Sequence, residues 1–474
     1  METKKIGLMA SHDSSMRTAM KTFNEFLDRT IKWKGKEYKI ELTRIIAEPL
    51  LCGKDLRPEA DLIVDRTIHW NDYYRCWAYQ GMNSQMQIIN NSFSNDNLDK
   101  HCTYDLMARA IHPADYFPKT ALLPQFYPYT EYQLKQELWG YEQNLISENT
   151  KNGFDPRYSK TDWNKVNNSL KKYTRHKEKS KRIREDFYYG GNYLKETMEQ
   201  VFDNKFPIFI KKAFGGGGSD VYKVESLQEL YDVYDTKTNG RTFHLQEAIE
   251  NYDTFVRCMA IGPQILPMRF VPEAPLHEHY SQEKLKLNQD IYNRLSGYVK
   301  FINSYMRWNY NSFEALIKND KISPIDFANA CPDSNFTSLH VHFPWLICAL
   351  TKWFAFCAVT KKDLRRDLEQ DRYLKFLNDP KIDGAKKFEM YNEISDEYFE
   401  IADFEEFCYE NFADIDEKMI EFYDKYFEDI IAIAIQDSDF PKEEHSRFYH
   451  EYKDAMDNIF RANADEYLTT FIAK

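Results

Sequence analysis

FPIFIKKAFGGGGSDVYK, residues 206–223, is the stretch on which the reading of this chain turns. Residues 207–210 are a short apolar, β-branched run that reads as a buried strand. It delivers Lys211 and Lys212 into four consecutive glycines, after which Val221 and Tyr222 resume a strand. Glycines pack no core, and each loses more backbone entropy on folding than any other residue, so the run calls for a reason. Without Cβ atoms, the amide groups of Gly215, Gly216, Gly217 and Gly218 can close over a polyphosphate while a neighbouring lysine supplies a point charge. A flexible hairpin tip is the plain alternative. The phosphate loop G-x-x-x-x-G-K-S/T does not occur, and these glycines lead into a strand instead of a helix. The phosphate-binding form left is a hairpin lid over nucleotide.

Upstream, residues 4–10 read as a first strand, followed by a helix over 18–31 with Met20, Phe23, Phe26, Leu27 and Ile31 at helical spacing. Further strands are expected at 40–46, 61–65 and 86–90, which together suggest a small open α/β sheet. Such sheets bind ligands at the carboxyl ends of their strands. The loop with His12, Ser14 and Arg17 is therefore either a substrate edge or the cap of the first helix. Lys100 opens a helix in which Leu106, Met107 and Ala110 share a face, and 121–123 is a strand; on spacing alone Lys100 is a surface lysine. Residues 165–184 are strongly basic and poor in apolar side chains, which reads as a solvated helix or an insertion.

Downstream of the glycines, a helix over 226–234 and a strand over 242–249 precede a hairpin, 254–261 and 264–270, around Gly262 and Pro263. The hairpin carries Arg257 and Arg269, and the run 323–328 presents Asp326 on a strand with Asn329 close behind. From about 350 the chain holds almost no glycine and repeats apolar residues at helical spacing, so a helical domain with an acidic wet face is expected.

The net charge of −12 argues against nonspecific nucleic-acid binding as the main task. The eight cysteines are scattered singly, which indicates neither a zinc site nor a disulfide framework. No apolar run is read as approaching the roughly 18 residues of a membrane helix, and the first residues lack the apolar core of a signal peptide. A cytoplasmic protein without a membrane partner is expected.

With these pieces in order, the chain resembles the ATP-grasp superfamily, and within it the group resembling the ribosomal-protein glutamate ligases. Asp99, Lys100, Thr103 and Leu106 to Met107 roughly fit the pattern D-K-x-x-T-x-x-x-L, and Pro207 to Lys211 fits P-x-x-x-K. The resemblance implies that Lys100 and Lys211 lie near ATP phosphates, with Lys212 where relatives often have proline. It implies that Gln246, Glu247, Ala248 and Ile249 reach the adenine edge, and that Asp253 or Glu250 takes the ribose. Arg257 and Arg269 match arginines that contact phosphate or the carboxylate under attack, where paired cationic forks suit spreading charge. Magnesium, with manganese as a substitute, is expected on Glu314, Asp326 and Asn329, the last belonging to an N-x-x-P run that ends at Pro332. The sequence departs from the family's E-x-N pair: Phe327 stands at the acid position, and Asp326 lies three residues before Asn329. On a straight strand those two side chains point to opposite faces, so either a bulge restores them or Asp333 and Asn335 substitute.

The implied fold is mixed α/β and α+β: an N-terminal open domain over 1–95, an ATP-grasp lobe over 96–245 with a basic insertion at about 130–190, a second lobe over 246–349, and a helical domain over 350–474. The implied activity is an ATP-dependent ligase joining a small-molecule or peptide carboxylate to an amine through an acyl phosphate. A small-molecule kinase and a noncatalytic nucleotide-binding scaffold are the rivals. A homo-oligomer is left open.

Overall fold

The computed structural model describes residues 1–9, 14–45, 48–56, 60–68, 71–95, 100–123, 193–213, 220–237 and 241–470. The chain divides into two compact units, residues 1–117 with 249–474, and residues 118–248. The glycines 215–218, His12, Asp99 and the basic segment 165–184 lie outside the described residues.

The first unit opens with a sheet of β1 (Glu2–Met9), β2 (Thr30–Trp33), β3 (Lys36–Arg44), β4 (Leu62–Asp65) and β5 (Ile88–Ile89), in the order β2-β3-β1-β4-β5. β1 pairs in parallel with β3 and β4, as an open α/β sheet requires. The first helix is Ser14–Leu27, earlier than its apolar spacing suggested, and Ile31 belongs to β2. The reason is local: Thr30 to Trp33 alternates exposed and buried residues with period two, and Lys34 and Gly35 turn the chain with φ of 45° and 76°. A helix at Asp72–Asn83 was not anticipated; the Asn71 side chain caps it by accepting from the amides of Tyr73 and Tyr74.

The second unit holds β6 (Thr120–Leu123), β7 (Ile208–Lys212), β8 (Val221–Val224) and β9 (Phe243–Glu247), antiparallel in the order β6-β9-β7-β8. The strand pair expected around the glycines is β7 and β8, in register from Ile208 opposite Val224 to Lys211 opposite Val221. Helices Tyr193–Gln200 and Leu227–Lys237 pack Leu194, Leu230 and Tyr234 against Ile208, Ile210 and Leu245.

The first unit's other sheet is β10 (Thr254–Ile261), β11 (Gln264–Arg269), β12 (Tyr310–Lys318) and β13 (Lys321–Asn329), antiparallel in the order β11-β10-β12-β13. Asn319 and Asp320, both at positive φ, make the tight β12–β13 turn. One face of this sheet is covered by helices Lys100–Ala110 and Gln289–Met306, whose apolar residues share a core with Phe313, Ala315 and Phe327. Buried Asn90, just after β5, accepts from the amides of Asn309 and Tyr310 and donates to the carbonyls of Tyr310 and Ala330. It stitches the edge of the first sheet to β12 and β13.

The last third of the chain is helical, as expected, and its helices share a core with the first sheet: Phe422 meets Phe23 at 5.0 Å and Phe407 meets Trp33 at 5.5 Å. The expectation that no stretch is apolar and long enough to cross a membrane needs correction. The helical run Phe336–Thr360, 25 residues, passes by length and composition, and 83% of its most apolar window is buried inside the protein. Its apolar surface is spent on packing, which is why the helix is apolar all round.

Candidate active site

The polar cluster of the first unit is built on β10, β12 and β13. Within β12, Ser312 and Glu314 leave the same face, and Phe313 and Ala315 leave the other into the core. On β13, Glu314 stands opposite Asp326 and Ser312 opposite Asn329, with register shifts on both sides of Glu314. Three residues of β13 are thus set against two of β12, and this bulge turns Asp326 and Asn329 to the same face. Phe327, at the position where an acid was expected, goes to the opposite face and is fully buried, stacked on Phe313 at 5.2 Å.

Arg257 of β10 stands directly across from Glu314. Its Nε lies 3.4 Å from Glu314 Oε1 and donates to Ser312 Oγ at 3.4 Å, and Ser312 Oγ in turn accepts from Asn329 Nδ2 at 2.9 Å. The guanidinium is flanked by the rings of Phe270 and Tyr280, 5.2 and 5.7 Å away. Lys100 comes from the first residue of its helix, and its Nζ lies 2.5 Å from Asp326 Oδ2. That helix is fixed over β13 by Tyr104, whose hydroxyl donates to the Ile325 carbonyl at 2.7 Å. Two cations therefore meet two carboxylates in a largely desolvated cluster, where charge pairs act more strongly than in water. Burial pulls the Lys100 pKa down, but Asp326 and then Glu314 outweigh it and the net shift is upward. Burial acts likewise on Arg257, and Tyr280, Glu314, Asp333 and Asp326 outweigh it. Both side chains stay cationic.

For a magnesium ion the donor set is apt in kind: two carboxylates and an amide oxygen are hard ligands, and magnesium commonly takes one or two carboxylates together with phosphate and water. Asn329 spends its NH2 on Ser312, which leaves its carbonyl end as the donor. Among the described residues no three His, Cys, Asp or Glu side chains gather as a metal site, so Asp333 does not complete a carboxylate triad; its Oδ1 accepts from the Asn335 amide.

Arg269 is not brought to this cluster. Arg257 pairs with Met268 and Arg269 with Val256, so the two guanidiniums leave opposite faces of the β10–β11 ladder, and Arg269 is exposed. The expected pair of cationic forks is a single fork, Arg257. Asp253 is occupied in the turn, its Oδ2 accepting from the Asn319 amide at 2.7 Å. At the carboxyl edge of the first sheet, Ser14 and Arg17 belong to the first helix, and Ser15 Oγ accepts from the Phe336 amide at 3.0 Å.

In the second unit, Lys211 is buried and its Nζ donates to Gln246 Oε1 at 2.7 Å, while Gln246 Nε2 donates to Thr120 Oγ1 at 3.0 Å. Lys212, next along the strand, leaves the other face and pairs with Asp220 at 3.4 Å. Glu247 Oε2 accepts from the Lys119 amide at 3.2 Å. Ala248 ends this unit and Ile249 begins the return to the first. Ser312 and Tyr280 were missed at the sequence level. Ser312 was findable, two residues before Glu314 on one strand, whereas nothing in the sequence sets Tyr280 apart.

No protein-family model matches the sequence, and no curated protein is significantly similar to it. Among solved structures, the chain is similar to a RimK domain ATP-grasp protein from Sphaerobacter thermophilus, with a TM-score of 0.41, 11% identity, and 69% of this chain and 92% of that one covered. It is similar to D-alanine–D-alanine ligase from Bacillus anthracis complexed with ATP, at 0.38 and 12%, covering 85% and 99%. It is also similar to the macrocyclase MdnC of Microcystis aeruginosa bound with the precursor peptide MdnA, at 0.41 and 10%, covering 76% and 100%. These are distant likenesses, and the residue roles below are argued from the geometry above.

Proposed function

We propose that this chain is an ATP-grasp ligase that joins a carboxylate to an amine with release of ADP and phosphate. The observation that carries the reading is the β12–β13 bulge, which sets Glu314, Asp326 and Asn329 on one face beside Arg257 and Lys100. The charge count fits the chemistry: two acids for a cation, two cations for phosphoryl and carboxylate oxygens.

In this reading Glu314, Asp326 and Asn329 hold magnesium, which when bound neutralises charge on phosphate oxygens. Lys211, buried beside Gln246 on the strand pair that flanks the glycines, is the phosphate lysine of the second unit, and residues 246–249 take the base. Lys100 is the phosphate cation of the first unit. The substrate carboxylate oxygen attacks the γ-phosphorus and ADP leaves; the amine nitrogen then attacks the acyl carbon, phosphate leaves, and the amine proton goes to solvent. Arg257 holds the carboxylate and then the acyl phosphate by charge-assisted hydrogen bonds, and alignment with charge neutralisation supplies the rate, so no side-chain nucleophile is needed. A cytoplasmic location and small-molecule or peptide substrates belong to the same proposal.

The test is a screen of carboxylates and amines for magnesium-dependent phosphate release, with hydroxylamine as a trap and Lys211→Ala as the blank. A hydroxamate formed only with ATP and one carboxylate is the expected result. ADP formed one for one with a stable phosphoester would make the chain a kinase. ATP binding without turnover across the screen would make it a noncatalytic binder, a role that the self-neutralised acid pair also suits.

A further inference from the structure

The hydroxyl of Tyr280 is buried and, among the described residues, has no hydrogen-bond partner. Leaving a buried hydroxyl unbonded is unfavourable, so a hydroxyl in that state calls for a partner that the described residues do not supply. Its position is not loose. Tyr280 bridges Phe270, the Val271 amide donates to the His279 carbonyl at 2.8 Å, and the Ser281 amide donates to the Arg269 carbonyl at 3.0 Å. The ring packs edge-on against Phe270 at 5.4 Å. What lies beside it is the Arg257 guanidinium, 5.7 Å from the ring centroid, on a side chain still 16% exposed. Burial, with Asp333 and Glu314 adding to it against Arg257, pushes the phenol pKa up, so the group is a neutral donor at any ordinary pH.

A neutral donor and a fixed guanidinium in a site with little water are what an oxygen-rich anion needs, since each bond is charge-assisted and no reorganisation is required. Glu314 already holds one edge of Arg257 through Nε, and among the described residues nothing takes the terminal nitrogens of the guanidinium, which leaves them for a ligand. We propose that Tyr280 is the second anion donor of this site, acting with Arg257 on a phosphate or acyl-phosphate oxygen. The inference rests on the ligase reading, which places such an anion at Arg257. It adds a binding residue from a segment, 271–288, that the site described above does not use.

The experiment titrates inorganic phosphate in the presence of MgADP by calorimetry, with melting followed in parallel, in wild type and in Tyr280→Phe. The ring and its packing survive the change, and only the hydroxyl is lost. MgADP binding should be unchanged, the melting temperature equal or higher because an unsatisfied hydroxyl is gone, and the phosphate Kd about tenfold weaker, as for one charge-assisted hydrogen bond. An unchanged phosphate Kd overturns the proposal. So does a Tyr280→Phe protein that melts well below wild type, since the hydroxyl would then be bonded within the fold. Wild type binding MgADP but no phosphate overturns the anion pair and leaves the nucleotide reading intact; wild type binding neither overturns both.

Discussion

Lys100 and Asp326, 2.5 Å apart, make the tightest contact of the cluster, and that contact sets a competition. A divalent cation arriving at Asp326 must displace an ammonium that already neutralises it. Lys100→Met removes the competitor while keeping the length of the side chain. In the absence of nucleotide, Mn2+ affinity followed by electron paramagnetic resonance should rise by about tenfold, the effect of losing one ion pair of about 1.4 kcal/mol. On the proposed ligase reading ATP turnover should fall as well, because the same lysine would be lost to phosphate. Equal Mn2+ affinity in the two proteins would remove Asp326 from the proposed metal site.

At the scale of elements, the bulge in β13 makes a prediction opposite to the one the sequence pattern invites. Restoring an acid at the expected position, Phe327→Glu, would not improve the proposed metal site, because that side chain is fully buried against Phe313 and Tyr104. It should cost at least about 3 kcal/mol in urea unfolding, the loss of a buried aromatic together with burial of a carboxyl, with no gain in Mn2+ affinity. The β10–β11 turn is equally constrained. Gly262 sits at φ 56°, and a Cβ there would come within 2.3 Å of the Trp353 ring. Gly262→Ala should destabilise by about 2–4 kcal/mol, part from the left-handed backbone and part from overpacking, read as a fall in the denaturation midpoint.

Across the whole molecule, two buried histidines set an acid limit. Burial holds His340 down at about 4, and burial with the field of His340 holds His342 down at about 3, where its Nε2 donates to the Ser281 carbonyl at 2.8 Å. Both are neutral in the folded chain at pH 6, whereas in the unfolded chain they begin to protonate below about 6.5. The unfolded state then binds more protons, so stability is full above pH 6.5 and falls as pH drops toward 4, by about 1.4 kcal/mol per pH unit for each histidine. Asp65 runs the other way: burial pushes its carboxyl up to about 6, so between about 6 and 4 the folded chain takes up a proton first and offsets one histidine. His342→Asn should therefore flatten the decline of unfolding free energy between pH 6.5 and 4, and Asp65→Asn should steepen it. Parallel curves for wild type and His342→Asn would overturn the assignment.

Period and turn chemistry settle a great deal before any folding is considered. The hairpin around Gly262 and Pro263, the strands flanking the glycines and the helical last third were legible because local alternation and backbone preferences act within a few residues. Of the residues singled out by their order along the chain, Lys100, Arg257, Glu314 and Asn329 are gathered in one cluster. Three things were not legible. Ile31 sat in a helical frame, and only pairing with Tyr38 made it a strand residue. Arg269 looked like a partner of Arg257, and only the β10–β11 register sent it to the other face. The spacing of Asp326 and Asn329 pointed to opposite faces, and a bulge against β12 brings them to the same one. Each of these depends on which residue of a distant strand lies opposite, a quantity fixed by long-range pairing and core packing, so no local pattern carries it.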